Sequence, residues 1–154
     1  MLEFELNGRR VSCQARSNQS LLDLLRDGLG VTSVKRGCEQ GECGACTVLI
    51  DGSPVASCLV LAPQAEGRSV TTVDGLEDDP LMVRLRDAFM ANGAVQCGFC
   101  TPGMLVSGYA LLRGNPRPTE EEVKTAIEGN ICCCTGYVKI VEAILDASRL
   151  IAAE

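Results

Sequence analysis

Hydrophobic and polar positions alternate from the first residues of the chain. Leu2, Phe4 and Leu6 fall on one side of an extended segment and Glu3 and Glu5 on the other, the period-two pattern of a half-buried strand. Asn7-Gly8 follows, a dipeptide suited to a two-residue hairpin turn, and Val11, Cys13 and Ala15 then alternate again. Two antiparallel strands are expected. Ser20, with Asp23 three residues on, makes a capping-box-like start to a short helix carrying Leu21, Leu22, Leu24 and Leu25, and Gly28 and Gly30 end it. A glycine-rich loop runs from Arg36 to Cys46. Thr47 to Ile50 then reads as a strand, Asp51-Gly52 as a turn, and the next segment as a return strand into Cys58 and Leu59. Ser69 to Val73 is a last short strand. This order predicts an α+β module ending near Asp74.

The apolar period changes after Gly75. Asp79 can cap and Pro80 can begin a helix with Leu81, Leu85, Ala88 and Phe89 on one face. The segment VQCGFC interrupts it. Thr101 and Pro102 start a second helix with Leu105, Gly108, Tyr109 and Leu112 on one side, and Asn115-Pro116-Arg117-Pro118 forms a rigid connector. Thr119 with Glu122 is a capping box for a third helix using Val123, Ala126 and Ile127. Gly129-Asn130 reads as the end of that helix. ICCCTG follows, and a fourth helix is expected from about Tyr137 to Ala152. The pattern helix, cysteine cluster, helix occurs twice, with CTPG at Cys100 matched by CTG at Cys134. Two antiparallel helix pairs facing each other would bring both cysteine turns to one end of a bundle. The expected domains are 1–76 and 77–154. Each is of a size at which a core alone is marginal and a metal commonly staples the fold.

Composition narrows the chemistry. Of 154 residues, 46% are hydrophobic and 22% charged, and there are ten cysteines but no histidine and no tryptophan. Without histidine there is no His-ligated zinc, no Rieske-type cluster, no His-held haem and no Ser/His or Cys/His nucleophile pair. With 14 basic against 20 acidic residues, the net charge of −6 repels phosphate, so no nucleic-acid partner is expected. The apolar stretches are too short to span a membrane. The opening MLEFELNGRR carries acidic residues inside its first apolar segment, unlike a secretory signal. A cytoplasmic location is expected, and there cysteines serve as metal ligands more often than as disulfides.

The first cysteine group is Cys38, Cys43 and Cys46, a C-x4-C-x2-C run, with Cys58 beyond it across a hairpin. That opening spacing is the plant-type [2Fe–2S] loop. Three thiolates from one segment must converge on a cluster whose sulfides take backbone N–H donors, which forces tight, partly left-handed turns. Gly37, Gly41 and Gly44 permit them. A zinc knuckle offers two C-x2-C pairs, and this loop offers one. The second group is Cys97-x2-Cys100 with Cys132, Cys133 and Cys134. Adjacent side chains diverge, whereas positions i and i+2 can point the same way, so Cys132 and Cys134 form the expected pair and Cys133 turns elsewhere. By spacing alone this second group could also hold zinc.

The segments GCEQGECGACTV, QCGFCTPGM and GNICCCTGY resemble the three signatures of the small iron–sulfur subunit of the molybdenum hydroxylases, the group of the xanthine dehydrogenase family. The resemblance implies an N-terminal β-grasp, ferredoxin-like domain followed by an all-α four-helix domain, each with a [2Fe–2S] cluster. It implies Cys38, Cys43, Cys46 and Cys58 as ligands of the first cluster and Cys97, Cys100, Cys132 and Cys134 as ligands of the second. Cys133 departs from the pattern, which has arginine there. The resemblance further implies that Gln96 contacts a molybdopterin held by a large partner subunit, and that electrons pass to FAD in a medium subunit or to another acceptor. Cys13 reads as core, and Glu120 to Glu122 as a favourable first helical turn. Neither a catalytic residue nor a substrate site is expected in this chain. The rivals are a stand-alone two-cluster ferredoxin and a zinc-stabilised interaction module.

Overall fold

A computed structural model describes residues 1–152. Strand β1 (Leu2–Leu6) pairs antiparallel with β2 (Arg9–Cys13), Leu2 opposite Cys13 and Leu6 opposite Arg9. Asn7 and Gly8 both take positive φ, 52° and 76°, as the tight hairpin turn between right-twisted strands requires. The same solution recurs at Asp51-Gly52, between β3 (Thr47–Ile50) and β4 (Ser53–Ala56). The last strand, β5 (Ser69–Thr71), lies parallel to β1 and antiparallel to β3, so the five-stranded mixed sheet has the order β2-β1-β5-β3-β4. Two expected strands are shorter than their pattern. β4 ends at Ala56, leaving Cys58 in the turn after it, and Val73 begins a 3-10 turn, Val73–Leu76, rather than closing β5.

The leucine-rich helix starts as expected, with the Ser20 side chain accepting from the Asp23 N–H at 3.0 Å. Only α1 (Leu21–Asp23) is α-helical, and Leu24–Gly28 widens into a π-turn in which Leu29 N–H reaches Leu24 O at 2.9 Å. All four leucines are buried against the inner face of the sheet, with Phe4, Val48 and Val70.

Four α-helices follow among the described residues: α2 (Pro80–Ala91), α3 (Thr101–Gly114), α4 (Glu120–Ile127) and α5 (Val138–Ala152). The Asp79 carboxylate caps α2, accepting from Leu81 and Met82 N–H, and Thr119 with Glu122 forms the capping box of α4. Met82, rather than Leu81, joins Leu85, Ala88 and Phe89 in the core. Helix α3 differs most from its expected one-sided pattern. Met104, Leu105, Val106, Ser107, Gly108, Tyr109 and Leu112 are all buried, because α3 packs on β3 and β4 on one side and on α2 and α4 on others. Successive residues of β3 divide accordingly. Val48 and Ile50 belong to the core under α1, and Leu49 belongs to the helical core.

Candidate metal centres

The hairpin β3–β4 returns the chain beside its own beginning, with Thr47 opposite Ala56. Just past the strand ends, Ser57 N–H and Oγ both donate to Cys46 O, at 3.3 and 2.8 Å. This brings Cys58 to the loop that carries Cys38, Cys43 and Cys46, with its sulfur close enough to those of Cys46 and Cys38 to interact. The Cys38 sulfur accepts N–H bonds from Gln40 and Glu42 at 3.3 Å and from Cys43 at 3.4 Å, and Cys38 N–H donates to Cys43 Sγ at 3.4 Å. Those backbone donors, Gln40 first, lower the Cys38 thiol to about 7. Burial pushes Cys58 up to about 11, the neighbouring Cys46 sulfur adding to it and the Gly41 N–H opposing.

The loop makes room for its sulfurs by omitting side chains. A Cβ on Gly37 would stand 2.7 Å from Cys43 Sγ, and one on Gly41, whose φ is +79°, would overlap Leu59. The four thiols thus belong to one loop and the turn beside it, where Gly37 and Gly41 leave room and the N–H groups of Gln40, Glu42 and Cys43 already point at sulfur. Such a donor set fits a [2Fe–2S] cluster, which takes four thiolates and is stabilised by hydrogen bonds to its sulfurs.

In the helical half, Cys97 and Cys100 precede α3, and Cys132 to Cys134 precede α5. The two turns meet, as the repeat implied. Cys100 and Cys132 are both buried in the helical core, their sulfurs close enough to interact. Burial raises Cys100 to about 12, with the sulfurs of Cys132 and Cys97 adding to it. Burial also pushes Cys132 up, but the Thr135 hydroxyl, the N–H groups of Thr135 and Cys134, and the Cys100 thiol together bring it down to about 7. Cys97 is exposed at the rim.

One geometric expectation is not met. Cys133 does not turn away from Cys134, for their sulfurs lie 3.8 Å apart and both are exposed. Side chains of neighbouring residues diverge in extended chain, whereas here the chain bends through residues 133–135. Thr101 Oγ1, next to Cys100, is buried without a hydrogen-bond partner. A sulfur-rich group held by these cysteines would give that hydroxyl an acceptor, so this set fits a cluster as well. Among the described residues, no three His, Cys, Asp or Glu side chains close on a point as for a single metal ion.

The two cysteine loops touch. Ile131 N–H donates to Cys43 O at 2.9 Å. Asn130, 5% exposed, donates from Nδ2 to Gly44 O at 3.1 Å and to Thr47 Oγ1 at 3.4 Å, and its Oδ1 accepts from Ser107 Oγ at 2.7 Å. A Cβ on Gly44 would overlap Gly129 O, and one on Gly103 would overlap Gly44 O. Asn130 follows the end of α4, as the sequence indicates, and is in addition the polar link between the loops. Its local sequence carries no mark of this, since its partners lie 23 and 86 positions away.

Gln96 is exposed on the loop before Cys97. Cys13 is half-buried against the first core, its thiol raised by burial. Glu120 and Glu121 pair with Lys124 on the first turn of α4. No helix among the described residues is long and apolar enough to cross a membrane.

Comparison with known proteins matches two family models in sequence. A 2Fe-2S iron-sulfur cluster binding domain covers residues 4–73, and a [2Fe-2S] binding domain covers residues 72–145. The nicotinate dehydrogenase small FeS subunit of Eubacterium barkeri is 49% identical over 143 residues, covering 93% of this chain and 91% of the relative. The crystal structure of quinoline 2-oxidoreductase from Pseudomonas putida 86 contains a chain that superposes with a TM-score of 0.91 at 42% identity, covering 99% of this chain and 95% of that one. In the aldehyde oxidoreductase of Desulfovibrio desulfuricans ATCC 27774 the TM-score is again 0.91 at 41% identity, but there this fold makes up 17% of a longer chain.

Proposed function

The chain belongs to the small iron–sulfur subunits of the molybdenum hydroxylases, and we infer from this that it carries electrons between cofactors held by partner subunits of a heteromeric oxidoreductase. Two [2Fe–2S] clusters, one in each half, supply one-electron stations when bound. Cys38, Cys43, Cys46 and Cys58 hold the first, and Cys97, Cys100, Cys132 and Cys134 the second. The ferredoxin-like domain comprises residues 1–76, and the helical domain, 77–154, is a four-helix cluster-binding unit. The chain contributes thiolates, the N–H groups of Gln40, Glu42 and Cys43 aimed at sulfur, and a direct main-chain contact between the loops.

The large partner subunit carries molybdopterin and the substrate site, and Gln96 reaches toward that pterin. Phe99, Ile131 and Val138 are exposed around the second thiol set, and apolar exposure of this kind supports a partner surface there. A medium subunit holding FAD is the next acceptor. With each oxidised cluster adding about −2 to the net charge of −6, the loaded chain sits near −10, a charge that calls for partners or counterions. We assign the complex to the cytoplasm, where thiols stay reduced.

The contact of Ile131 N–H with Cys43 O is the observation that carries this reading, because a two-station wire needs its stations joined. Iron and acid-labile sulfide should each be about four per chain, in a preparation that co-purifies with a molybdopterin-containing subunit. Stoichiometric zinc without labile sulfide, or a chain that purifies alone with both clusters, would overturn it.

A further inference from the structure

Asn130 makes contacts that a helix end does not require. The Gly44 carbonyl accepts from three donors: Thr47 N–H at 3.1 Å, Thr47 Oγ1 at 2.6 Å and Asn130 Nδ2 at 3.1 Å. The first two are local to the ferredoxin-like loop, and the third crosses from the helical half. Ser107 on α3 holds the other end of the Asn130 amide at 2.7 Å, which fixes its Nδ2 toward Gly44. Gly103 stands one turn before Ser107 on the same helix face, and there the backbone of α3 meets the Gly44 carbonyl with no room for a Cβ. Asn130 is two residues from Cys132, Gly44 adjoins Cys43, and Gly103 is three residues from Cys100. A shift at this junction therefore passes directly to cysteines of both sets.

We propose that Asn130, seated between Gly44 and Ser107 beside Gly103, is a positioning residue that sets the spacing and orientation of the two cysteine loops, and so the exchange of electrons between the clusters. The inference rests on the two-cluster reading above. Buried amides that are fully hydrogen-bonded specify one arrangement, since every displaced alternative leaves a carbonyl or an N–H unpaired. Electron exchange depends steeply on separation, so the same side chain that specifies the arrangement governs the transfer.

Three variants of the full chain, purified with its clusters, separate this role from simple stability. Asn130→Asp keeps the shape and the bond from Ser107, but turns the donor facing Gly44 O into an acceptor. Gly103→Ala wedges a methyl between α3 and Gly44 although alanine favours helix over glycine. Thr47→Val removes the local Oγ1 bond to Gly44 O and the long 3.4 Å bond from Asn130 Nδ2, and leaves the crossing bond from Asn130 to Gly44 O in place. The readouts are iron and sulfide content, the magnetic interaction between the two reduced clusters, and the rate at which the second cluster reduces the first. Asn130→Asp and Gly103→Ala should keep both clusters, alter the interaction and slow the transfer several-fold, with Thr47→Val close to the native chain. Should Asn130→Asp fail to fold, Gly103→Ala alone decides. Unchanged interaction and rate in the cross-loop variants would overturn the proposal, as would loss of a cluster from each. A native chain with one cluster or with zinc would instead overturn the functional reading.

Discussion

Cys133 stands where the family pattern has arginine, and its sulfur lies 3.8 Å from that of Cys134. The two thiols share one bend and one exposure, so the choice between them rests on what each can reach. Cys132 is distinguished more sharply, since it is buried, its sulfur lies 3.1 Å from Thr135 Oγ1, and its thiol is brought to about 7 by the Thr135 hydroxyl and nearby N–H groups against the upward effect of burial. A thiol held near neutrality in this way is ready to ligate iron as thiolate. Cys133→Arg is expected to keep both clusters, with iron unchanged, and Cys132→Ser to remove the helical-half cluster alone. Iron analysis and visible circular dichroism of the two variants check this. Loss of that cluster in Cys133→Arg, with retention in Cys134→Ser, would make Cys133 the ligand.

The loop from Arg36 to Cys46 has almost no regular structure, yet its conformation is tightly constrained. Glu39, Gly41 and Gly44 take positive φ, and the sulfur of Cys38 draws three backbone N–H groups toward it. Arg36 anchors the start of the loop to Asp23 and Asp27 at 2.7 Å, tying it to α1 and the π-turn. Gly41→Ala should empty the first site while leaving the second loaded, because the left-handed conformation costs a side chain about 1–2 kcal/mol and the added methyl overlaps Leu59. Gly41→Ala with Leu59→Ala removes the overlap but not the backbone strain, so partial recovery of the first cluster is the expected result. Iron content and the spectrum of each cluster measure it. Equal loss of both clusters would show that the loop is not an independent unit.

The two halves share β3, pack together through α3 and join their cysteine loops at Asn130 and Ile131, so the molecule is a continuous support for two sites. The direction of electron flow belongs to this level. On the proposed arrangement, in which Gln96 and the second thiol set face the molybdopterin of a large subunit, Cys43→Ser should leave the helical-half cluster reducible by substrate while FAD or an external acceptor stays oxidised. Rapid mixing of the assembled complex with substrate resolves the two clusters by their spectra. Failure of substrate to reduce either cluster in that variant would reverse the order.

Much of this was legible along the chain. The alternation of Leu2, Phe4 and Leu6, the turns at Asn7-Gly8 and Asp51-Gly52, and the caps at Ser20, Asp79 and Thr119 are local devices, decided by residues within a few positions of one another. The spacing of Cys38, Cys43 and Cys46 is local in the same sense, since one loop must present three sulfurs. The parallel pairing of β1 with β5, the burial of α3 on nearly all sides, the shared bend of Cys133 and Cys134, and the junction of Gly44, Gly103, Ser107 and Asn130 are of another kind. Each depends on segments tens of residues apart arriving at the same place. A glycine looks alike in sequence whether it serves a turn or a close approach, and a buried asparagine looks like a helix end until its partners are known. Only packing brings a carbonyl from one loop against an amide from another, and only then is the cost of leaving either unpaired set by the fold.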